Sequence, residues 1–212
     1  MRLLVTGGAG FIGSHVVRYW LEHRPADDVV TLDRLTYAGL RATVEEFASH
    51  PRHRFVQGDI CDPAIVREAM RDCAVVVHLA AETHVDRSIT NAAPFVRTNV
   101  EGTQVLLACA AELHVGKFLH VSTDEIYGPI LTGAHDEEAP FNPRSPYAAS
   151  KAAAELLVRA AQETYGLPAL IVRPTNCFGP RQFPEKFIPL CITNALEERP
   201  VPIYGDGQQR RT

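Results

Sequence analysis

Two short groups of polar residues have the types and spacing that catalysis requires. Thr123, Asp124 and Glu125 follow an apolar, strand-like run, and Tyr147 and Lys151 stand four positions apart in a segment with helical spacing. Residues four apart share one face of a helix, so the phenol and the ammonium can meet one substrate hydroxyl. Positive charge beside a tyrosine favours the phenolate, which is a competent base. This pair is typical of hydride transfer at an alcohol, and the neighbouring acids add a proton donor and acceptor, which indicates elimination of water.

The N-terminus has the pattern of a dinucleotide site. Residues 2–6 form a short apolar run that leads into a glycine-rich loop and then into helical spacing. Such glycines permit a tight turn, let backbone amides approach a pyrophosphate and place that anion at a helix N-terminus. The loop residues that we expect at the cofactor are Gly7, Gly10, Phe11, Ile12 and Gly13.

Asp33 ends the next strand-like run, at the position where a dinucleotide fold places the acid that binds the adenosine ribose. A carboxylate there repels a 2′-phosphate, although the adjacent Arg34 offers such a phosphate a partner. NAD is therefore favoured over NADP as the cofactor. Residues after other strands are also expected near it, because ligands bind beyond the carboxyl ends of parallel strands. These are Asp59, Ile60, Leu79, Ala80, Ala81 and, within a predicted helix, Asn99; for Asp59 and Asn99 alone, a turn acid and a helix-kink polar residue are equally good interpretations.

Composition agrees with a globular enzyme that binds neither nucleic acid nor membrane. Hydrophobic residues make up 46%, charged residues 22%, and the formal net charge is −4, so nothing attracts a polyanion. No run reaches the ~18 apolar residues of a membrane span, and no cleavable signal precedes the glycine loop. We expect a cytoplasmic protein. The five cysteines are scattered without a C-x-x-C motif, which predicts free thiols and no metal site.

Strand-like and helix-like segments alternate along the chain, which predicts an α/β fold with a doubly wound parallel sheet. Beyond residues 2–6, strands are expected at Val29 to Leu32, Arg54 to Val56, Val75 to Leu79, Phe118 to Val121 and Leu170 to Val172, and helices at 64–71, 94–114, 146–165 and 186–198. After Arg173 prolines and glycines become frequent. We therefore predict a dinucleotide-binding domain at 1–173 and the start of a smaller substrate-binding lobe at 174–212, and we expect that lobe to be truncated.

The motifs together resemble those of the extended short-chain dehydrogenases/reductases that act on nucleotide sugars, and among these the dTDP-glucose 4,6-dehydratase family most closely. The resemblance covers residues 1–212 and rests on the segments 6–13, 80–89, 122–128, 145–151 and 173–180. It implies a Rossmann fold and NAD. It also implies oxidation at carbon 4 of a nucleotide-activated glucose, loss of water across carbons 5 and 6, and return of the hydride to carbon 6.

The resemblance further implies a role for each matching residue. Tyr147 is the base for the 4-hydroxyl, Lys151 its activator and a ribose ligand, and Thr123 orients the hydroxyl. Asp124 protonates the departing 6-hydroxyl and Glu125 removes the proton at carbon 5. Further nucleotide or sugar contacts fall on Asn176, Lys186 and Arg211, with Glu82, His84 and Ser88 bordering the sugar pocket. The chain departs from the family pattern at Thr212, where an aspartate is usual, and it lacks about a third of a typical family chain.

Two other functions remain open at this stage. A nucleotide-sugar 4-epimerase uses the same glycine loop, tyrosine and lysine but needs neither Asp124 nor Glu125. A non-catalytic NAD-binding regulatory module is the alternative from another class. The resemblance also predicts a homodimer through helices 94–114 and 146–165. Apolar positions on these helices supply both sheet-facing and partner-facing stripes, and they include Val105, Leu106, Ala153, Leu156 and Leu157.

Overall fold

The computed structural model describes residues 1–130, 132–203 and 205–207, and these are built around a parallel sheet. Its strands are β1 (Arg2–Thr6), β2 (Asp28–Asp33), β3 (His53–Gln57), β4 (Val75–His78), β5 (Lys117–Val121) and β6 (Ala169–Val172). Their spatial order is β3-β2-β1-β4-β5-β6, and every adjacent pair is parallel. The order reverses between β1 and β4, where a doubly wound sheet opens its ligand crevice. The predicted fold class is confirmed.

Helices cover both faces of this sheet. They are α1 (Phe11–His23), α2 (Arg41–Ala48), α3 (Pro63–Met70), α4 (Val85–Thr90), α5 (Ala93–Phe95), α6 (Gly102–Glu112), α7 (Pro146–Tyr165) and α8 (Phe187–Leu196). A π-helical segment, Val96–Glu101, joins α5 to α6, so the helix predicted at 94–114 is interrupted, and a 3₁₀ helix spans Asp124–Tyr127. Helices α2 and α4 were not predicted. Leu40 and His84 precede them, and neither is a residue type that commonly starts a helix.

Alternate strand residues point to opposite faces, and both faces are apolar. Leu3 and Val5 of β1 pack with Val17 of α1 in one core cluster. Leu4, between them, packs with Phe118 of β5 in the other cluster, which α3, α6 and α7 cover. This two-sided burial explains why the strands read as continuous apolar runs rather than as alternating ones.

Helix α7 has clear start and stop signals in its sequence. The Ser145 hydroxyl accepts from the backbone N–H of Ala148 at 3.1 Å, and Pro146 occupies the first turn. Gly166 ends the helix in the left-handed conformation, with φ of 64°. The helix that carries Tyr147 and Lys151 therefore begins and ends at the predicted residues.

The chain after Arg173 is mostly irregular. Its described helix, α8, has no buried residue, and Leu196 is 80% exposed. The predicted boundary between a domain at 1–173 and a lobe at 174–212 stays a prediction. All five cysteines are free thiols. Across the described ranges, no helix is long and apolar enough to cross a bilayer.

Candidate active site

The carboxyl ends of four neighbouring strands bring the candidate residues together. In the sheet register Thr6 aligns with His78, His78 with His120, and Val121 with Val172. Four segments therefore leave the sheet at the same edge: the glycine loop, residues 79–82, residues 122–125 and residues 173–176. This common edge is where the sequence placed both the cofactor and the catalytic groups.

The glycine loop has no room for side chains where the backbone turns. Gly7 has φ of 73°, and a Cβ there would lie 2.8 Å from the backbone nitrogen of Ala80. A Cβ on Gly13 would lie 2.2 Å from the Gly7 carbonyl oxygen. Gly10 is the N-cap of α1 and, within the described part of the chain, no side chain caps this helix. The first-turn amides of α1 thus fit an anion such as a pyrophosphate.

Asp33 lies at the end of β2 and holds two backbone amides. Its Oδ2 accepts from Ala9 N at 3.0 Å, and its Oδ1 accepts from Leu35 N at 2.8 Å. Burial raises the pKa of Asp33, while these two hydrogen bonds lower it. Each carboxylate oxygen retains acceptor capacity for a ribose hydroxyl.

Arg34 is exposed and forms an ion pair with a neighbouring carboxylate. Its guanidinium lies 3.1 Å from Asp59, which also attracts Arg97 at 3.7 Å and accepts from the backbone of Cys61. Asp59 thus ties the end of β3 to the loop after β2. The neighbouring Ile60 is a buried core residue. Its expected cofactor contact, like that of Asp59, stays a prediction.

A chain of buried hydrogen bonds fixes the loop after β4. Thr103 donates to the Asn99 carbonyl at 2.6 Å, so its oxygen accepts from His78 Nε2 at 2.9 Å. His78 Nδ1 then accepts from the Thr6 hydroxyl at 2.8 Å. The Thr6 oxygen in turn accepts from the backbone amides of Leu79 and Ala80, each at 3.2 Å. This network holds Leu79 and Ala80 against the glycine loop. The expected cofactor contacts of Leu79, Ala80 and Ala81 stay predictions.

Asn99 holds backbone groups of the loop after β4, and its expected cofactor contact stays a prediction. Its amide oxygen accepts from the Glu82 N–H at 2.9 Å, and its amide nitrogen donates to the Glu82 carbonyl at 3.0 Å. The same nitrogen donates to Ser150 at 2.8 Å, on the helix that carries Tyr147 and Lys151. Asn99 lies in the π-helical segment, so the interrupted helix positions this contact.

The surroundings of Tyr147 raise the pKa of its hydroxyl. Burial and the charges of Glu125 and Asp124 together raise the pKa of Tyr147 to about 12, against a hydrogen bond with Thr123 that lowers it. Desolvation of a buried phenolate and two nearby carboxylates both favour the protonated phenol. Both acids therefore lie within electrostatic reach of the tyrosine hydroxyl.

The Lys151 ammonium points at the end of β5. It donates to the Val121 carbonyl at 2.7 Å, and its side chain is buried. Burial lowers the pKa of Lys151 to about 8, while the charge of Glu155 raises it. An ammonium has three donors, so this contact leaves two for a ligand.

Thr123, Asp124 and Glu125 form the entry to the 3₁₀ helix. The Thr123 hydroxyl donates to Asp124 Oδ1 at 3.3 Å and accepts from the backbone N–H of Glu125 at 3.2 Å. Both carboxylates are half-buried. The backbone N–H of Asp124 donates to Pro174 at 3.3 Å, which joins the acids to the segment after β6.

The residues expected to bind the substrate lie in several loops and helices around the edge of the sheet. Ser88 is fully buried; its hydroxyl donates to Val85 and accepts from the Tyr147 N–H, so it anchors the start of α7. His84 caps α4, and its Nε2 lies 3.7 Å from Glu185. Lys186 donates to the Thr83 carbonyl at 3.2 Å. Their substrate contacts, and those of half-buried Glu82 and exposed Asn176, stay predictions. Arg211 and Thr212 lie outside the described residues.

Phe11 and Ile12 lie beside the segment after β6. A cavity of about 280 Å³ separates them from residues 177–180, and His15 hydrogen-bonds the Pro180 carbonyl at 3.0 Å across this gap. The loop that is expected to hold the cofactor is therefore also in contact with the predicted second lobe.

Glu155 and Arg173 are two further residues of the site that were not predicted from the sequence. Glu155 is fully buried on α7 and pairs with Arg173 at the end of β6, with Nη2 to Oε1 at 2.5 Å. A signal was present, because Tyr147, Lys151 and Glu155 follow one another at four-residue spacing. An acid on the buried face of an otherwise alanine-rich helix marks a site that needs charge.

The chain is similar in sequence to a known family and to characterised proteins. A model described as the NAD dependent epimerase/dehydratase family matches residues 3–212. The low-salt glycan biosynthesis protein Agl12 of Haloferax volcanii is 54% identical over 211 residues, which are 100% of this chain and 68% of that protein. The dTDP-glucose 4,6-dehydratase of Streptomyces niveus is 51% identical over 215 residues, with 100% and 64% covered.

Solved structures give the same result. DesIV, a dTDP-glucose 4,6-dehydratase from Streptomyces venezuelae solved with NAD and TYD bound, superposes with a TM-score of 0.95 at 54% identity, over 98% of this chain and 66% of that one. A UDP-glucuronic acid 4-epimerase from Bacillus cereus, in complex with UDP-glucuronic acid and NAD, has a TM-score of 0.93 at 34% identity, with 100% and 68% covered. The chain spans about two thirds of the length of these relatives. Its sheet order, its glycine loop and the match over residues 3–212 show that this chain belongs to the NAD dependent epimerase/dehydratase family.

Proposed function

We propose that this chain holds the NAD site and the catalytic groups of a hydro-lyase that converts dTDP-glucose to its 4-keto-6-deoxy derivative. One observation carries the proposal: Asp124 and Glu125 both act electrostatically on the Tyr147 hydroxyl, so a proton donor and a proton acceptor lie beside the hydride-transfer base. Relatives named dTDP-glucose 4,6-dehydratase at about half identity support it. A 4-epimerase needs no such pair of acids.

The residues present fit NAD. The glycine cradle and the first turn of α1 would hold the pyrophosphate, Asp33 the adenosine ribose, and Lys151 the other ribose. When bound, NAD would accept a hydride from carbon 4 and return it to carbon 6, and its cationic ring would lower the pKa of Tyr147. The neighbours solved with NAD support this choice of cofactor.

The first half of the reaction needs a base at the 4-hydroxyl. Tyr147 takes the proton from this hydroxyl while the hydride leaves carbon 4, and Thr123 hydrogen-bonds the same oxygen and fixes its orientation. The product of this half is a 4-ketone. The ketone makes the proton at carbon 5 acidic, because the resulting carbanion is an enolate.

The second half eliminates water. Glu125 removes the proton at carbon 5, and Asp124 gives a proton to the departing 6-hydroxyl, which leaves as water. The hydride then returns to carbon 6 and a proton to carbon 5. The product therefore differs from the substrate by the loss of one water, and no net oxidation occurs. Asp124 and Glu125 are adjacent on the 3₁₀ helix, which keeps donor and acceptor together.

Nucleotide recognition is assigned to the region after β6. We propose that residues 174–212 begin the lobe that binds the nucleotide diphosphate, with Asn176, Lys186 and Arg211 as contacts. Glu82, His84 and Ser88 border the sugar. The cation of Lys186 is suitable for a diphosphate, and Glu125 is among the charges that act on it, so it lies near the catalytic acids.

Incubation of the protein with NAD and each of several nucleotide-glucose donors tests the function. We expect a 4-keto-6-deoxy sugar, formed fastest from the dTDP donor. Formation of the galactose epimer without loss of water would favour the epimerase. Binding of NAD with no turnover of any donor would favour the non-catalytic module.

We also propose a homodimer with α5–α6 and α7 at its interface. Leu156 is 54% exposed and Val96 is 55% exposed, whereas Leu106 is fully buried, so these helices present apolar groups both to the core and to solvent. The partner is a second copy of this chain. Sedimentation at micromolar concentration should give a dimer mass, and a monomer mass would reject the interface.

A further inference from the structure

Glu155 is a fully buried carboxylate that the proposed mechanism does not use. It lies one turn beyond Lys151, on the face of α7 that also carries Tyr147. Arg173 donates three hydrogen bonds of 2.5 to 3.2 Å to this carboxylate, and Arg159 donates one at 3.0 Å. Burial raises the pKa of Glu155, but the bonds from Arg173 and Arg159 bring it below the ordinary value, so the group is an anion.

Arg173 extends this contact to the segment that carries the two acids. Its guanidinium donates to the Tyr127 hydroxyl and, at 2.9 Å, to the Glu137 carbonyl, and it lies 5.2 Å from the centre of the Tyr127 ring. Tyr127 ends the 3₁₀ helix that begins at Asp124. One ion pair thus joins α7, the end of β6 and the acid-bearing helix.

Glu155 also supplies the negative charge that acts on Lys151. The titratable groups that interact electrostatically with this ammonium come from three elements: Glu155 on α7, His78 on β4 and His120 on β5. Burial lowers the pKa of both histidines far below the ordinary value, so they are neutral. Asp124 and Glu125 face Tyr147 instead. Within this group, the anion that offsets the burial of Lys151 is Glu155.

We propose that Glu155 is a positioning residue for the reaction: paired with Arg173, it fixes the acid-bearing helix against α7 and keeps Lys151 charged. The inference rests on the proposed function for its purpose, because a charged Lys151 is what supports the phenolate of Tyr147 and holds a ribose hydroxyl. The charge state of Lys151, however, can be measured without any turnover of substrate.

The sequence makes that measurement direct, because it contains three lysines, Lys117, Lys151 and Lys186. The protein is labelled with ¹³Cε-lysine and titrated by NMR, and the Lys151 signal is assigned with Lys117→Arg and Lys186→Arg. Glu155→Gln should lower the Lys151 titration midpoint by about one pH unit. Glu155→Asp should restore it. As a matched control, Glu112→Gln removes an exposed carboxylate that pairs with Arg67 at 3.0 Å, and it should leave the midpoint unchanged.

Loss of Glu155 alone leaves the half-buried Arg173 without its anionic partner, which threatens folding. The double variant Glu155→Gln/Arg173→Gln removes both charges. It should fold better than Glu155→Gln and still show the lowered midpoint. A Lys151 midpoint equal to that of the unmodified protein in the double variant overturns the proposal, whether or not the protein turns over a nucleotide sugar.

A second readout is the pH dependence of the hydride step. With dTDP-glucose, the alkaline limb of NADH formation should move to lower pH by about one unit in Glu155→Gln, because Lys151 loses its proton earlier. A purely structural role would lower the rate equally at every pH, and that result contradicts the proposal. Absence of NADH and product in the unmodified protein would instead reject the proposed function, and the NMR titration would still decide the role of Glu155.

Discussion

At the scale of single residues, Asp33 has a structural role beside the ligand role that we propose for it. Its carboxylate holds the amides of Ala9 and Leu35 in the two loops that flank the crevice. The same charge repels a 2′-phosphate, and Arg34, which could have attracted one, is drawn to Asp59. Preference for NAD follows from these pairings.

Asp33→Asn tests this directly. The variant keeps one acceptor oxygen for the loop but removes the negative charge. The ratio of NAD affinity to NADP affinity should therefore fall by about tenfold, which corresponds to about 1.4 kcal/mol. Equilibrium titration with both dinucleotides measures it. Asp28→Asn, at the exposed start of the same strand, is the control and should not change the ratio. Equal affinity for the two dinucleotides in the unmodified protein would show that Asp33 does not select the cofactor.

At the scale of elements, the strands and α7 were predictable, because their signals are local. Runs such as residues 29–32 are apolar on both faces, and Ser145, Pro146 and Gly166 mark the ends of α7. The common edge of the strands followed from parallel topology, and it correctly gathered most of the candidate site. Helices α2 and α4 were missed because they are short and lack standard caps.

Contacts between distant segments were not predictable from pattern. The pKa of Tyr147 depends on burial and on two carboxylates from another element, and spacing along α7 contains neither. The pairing of Glu155 with Arg173 depends on how α7 packs beside β6. Both properties depend on how distant segments pack together, and local sequence patterns do not reveal that packing.

The glycine loop gives an element-scale prediction. In Gly13→Ala the new methyl group would meet the Gly7 carbonyl at 2.2 Å, and backbone cannot move aside cheaply. We expect destabilisation of about 1–3 kcal/mol and loss of NAD binding. Gly166→Ala is the control: its φ of 64° adds strain, but nothing lies within 4 Å, so stability should fall while NAD binding persists. Normal NAD affinity in Gly13→Ala, measured by calorimetry beside chemical unfolding, would contradict the assignment of the loop.

At the scale of the whole molecule, the sheet buries two neutral histidines side by side. The rings of His78 and His120 are 5.3 Å apart, and burial lowers the pKa of His78 to about 3. His78 is satisfied by two threonines, whereas neither ring nitrogen of His120 has a hydrogen-bond partner among the described residues. Unfolding exposes both rings to protons.

Stability should therefore fall on acidification. The folded pKa of each histidine is depressed, so its contribution is complete above the unfolded value near 6.5 and is lost as the pH falls toward the folded value. Each histidine should cost about 2 kcal/mol between pH 7 and pH 5. His120→Leu should reduce the acid-induced loss by that amount in urea unfolding, while His23→Leu, at an exposed position, should not. An identical pH dependence in His120→Leu would show that this ring is not buried neutral.

We propose that the hydride pair and the elimination acids are separate groups on one scaffold, and a double variant distinguishes their roles. In Asp124→Asn/Glu125→Gln the shape of the site is kept but the proton donor and acceptor are lost, at a cost of about 10²–10⁴ in rate for each. After mixing with dTDP-glucose, absorbance of bound NADH should rise and persist while the 4-keto-6-deoxy product fails to form; Tyr147→Phe should give neither. Unimpaired dehydration in the double variant would remove Asp124 and Glu125 from the mechanism and return the chain to the epimerase interpretation.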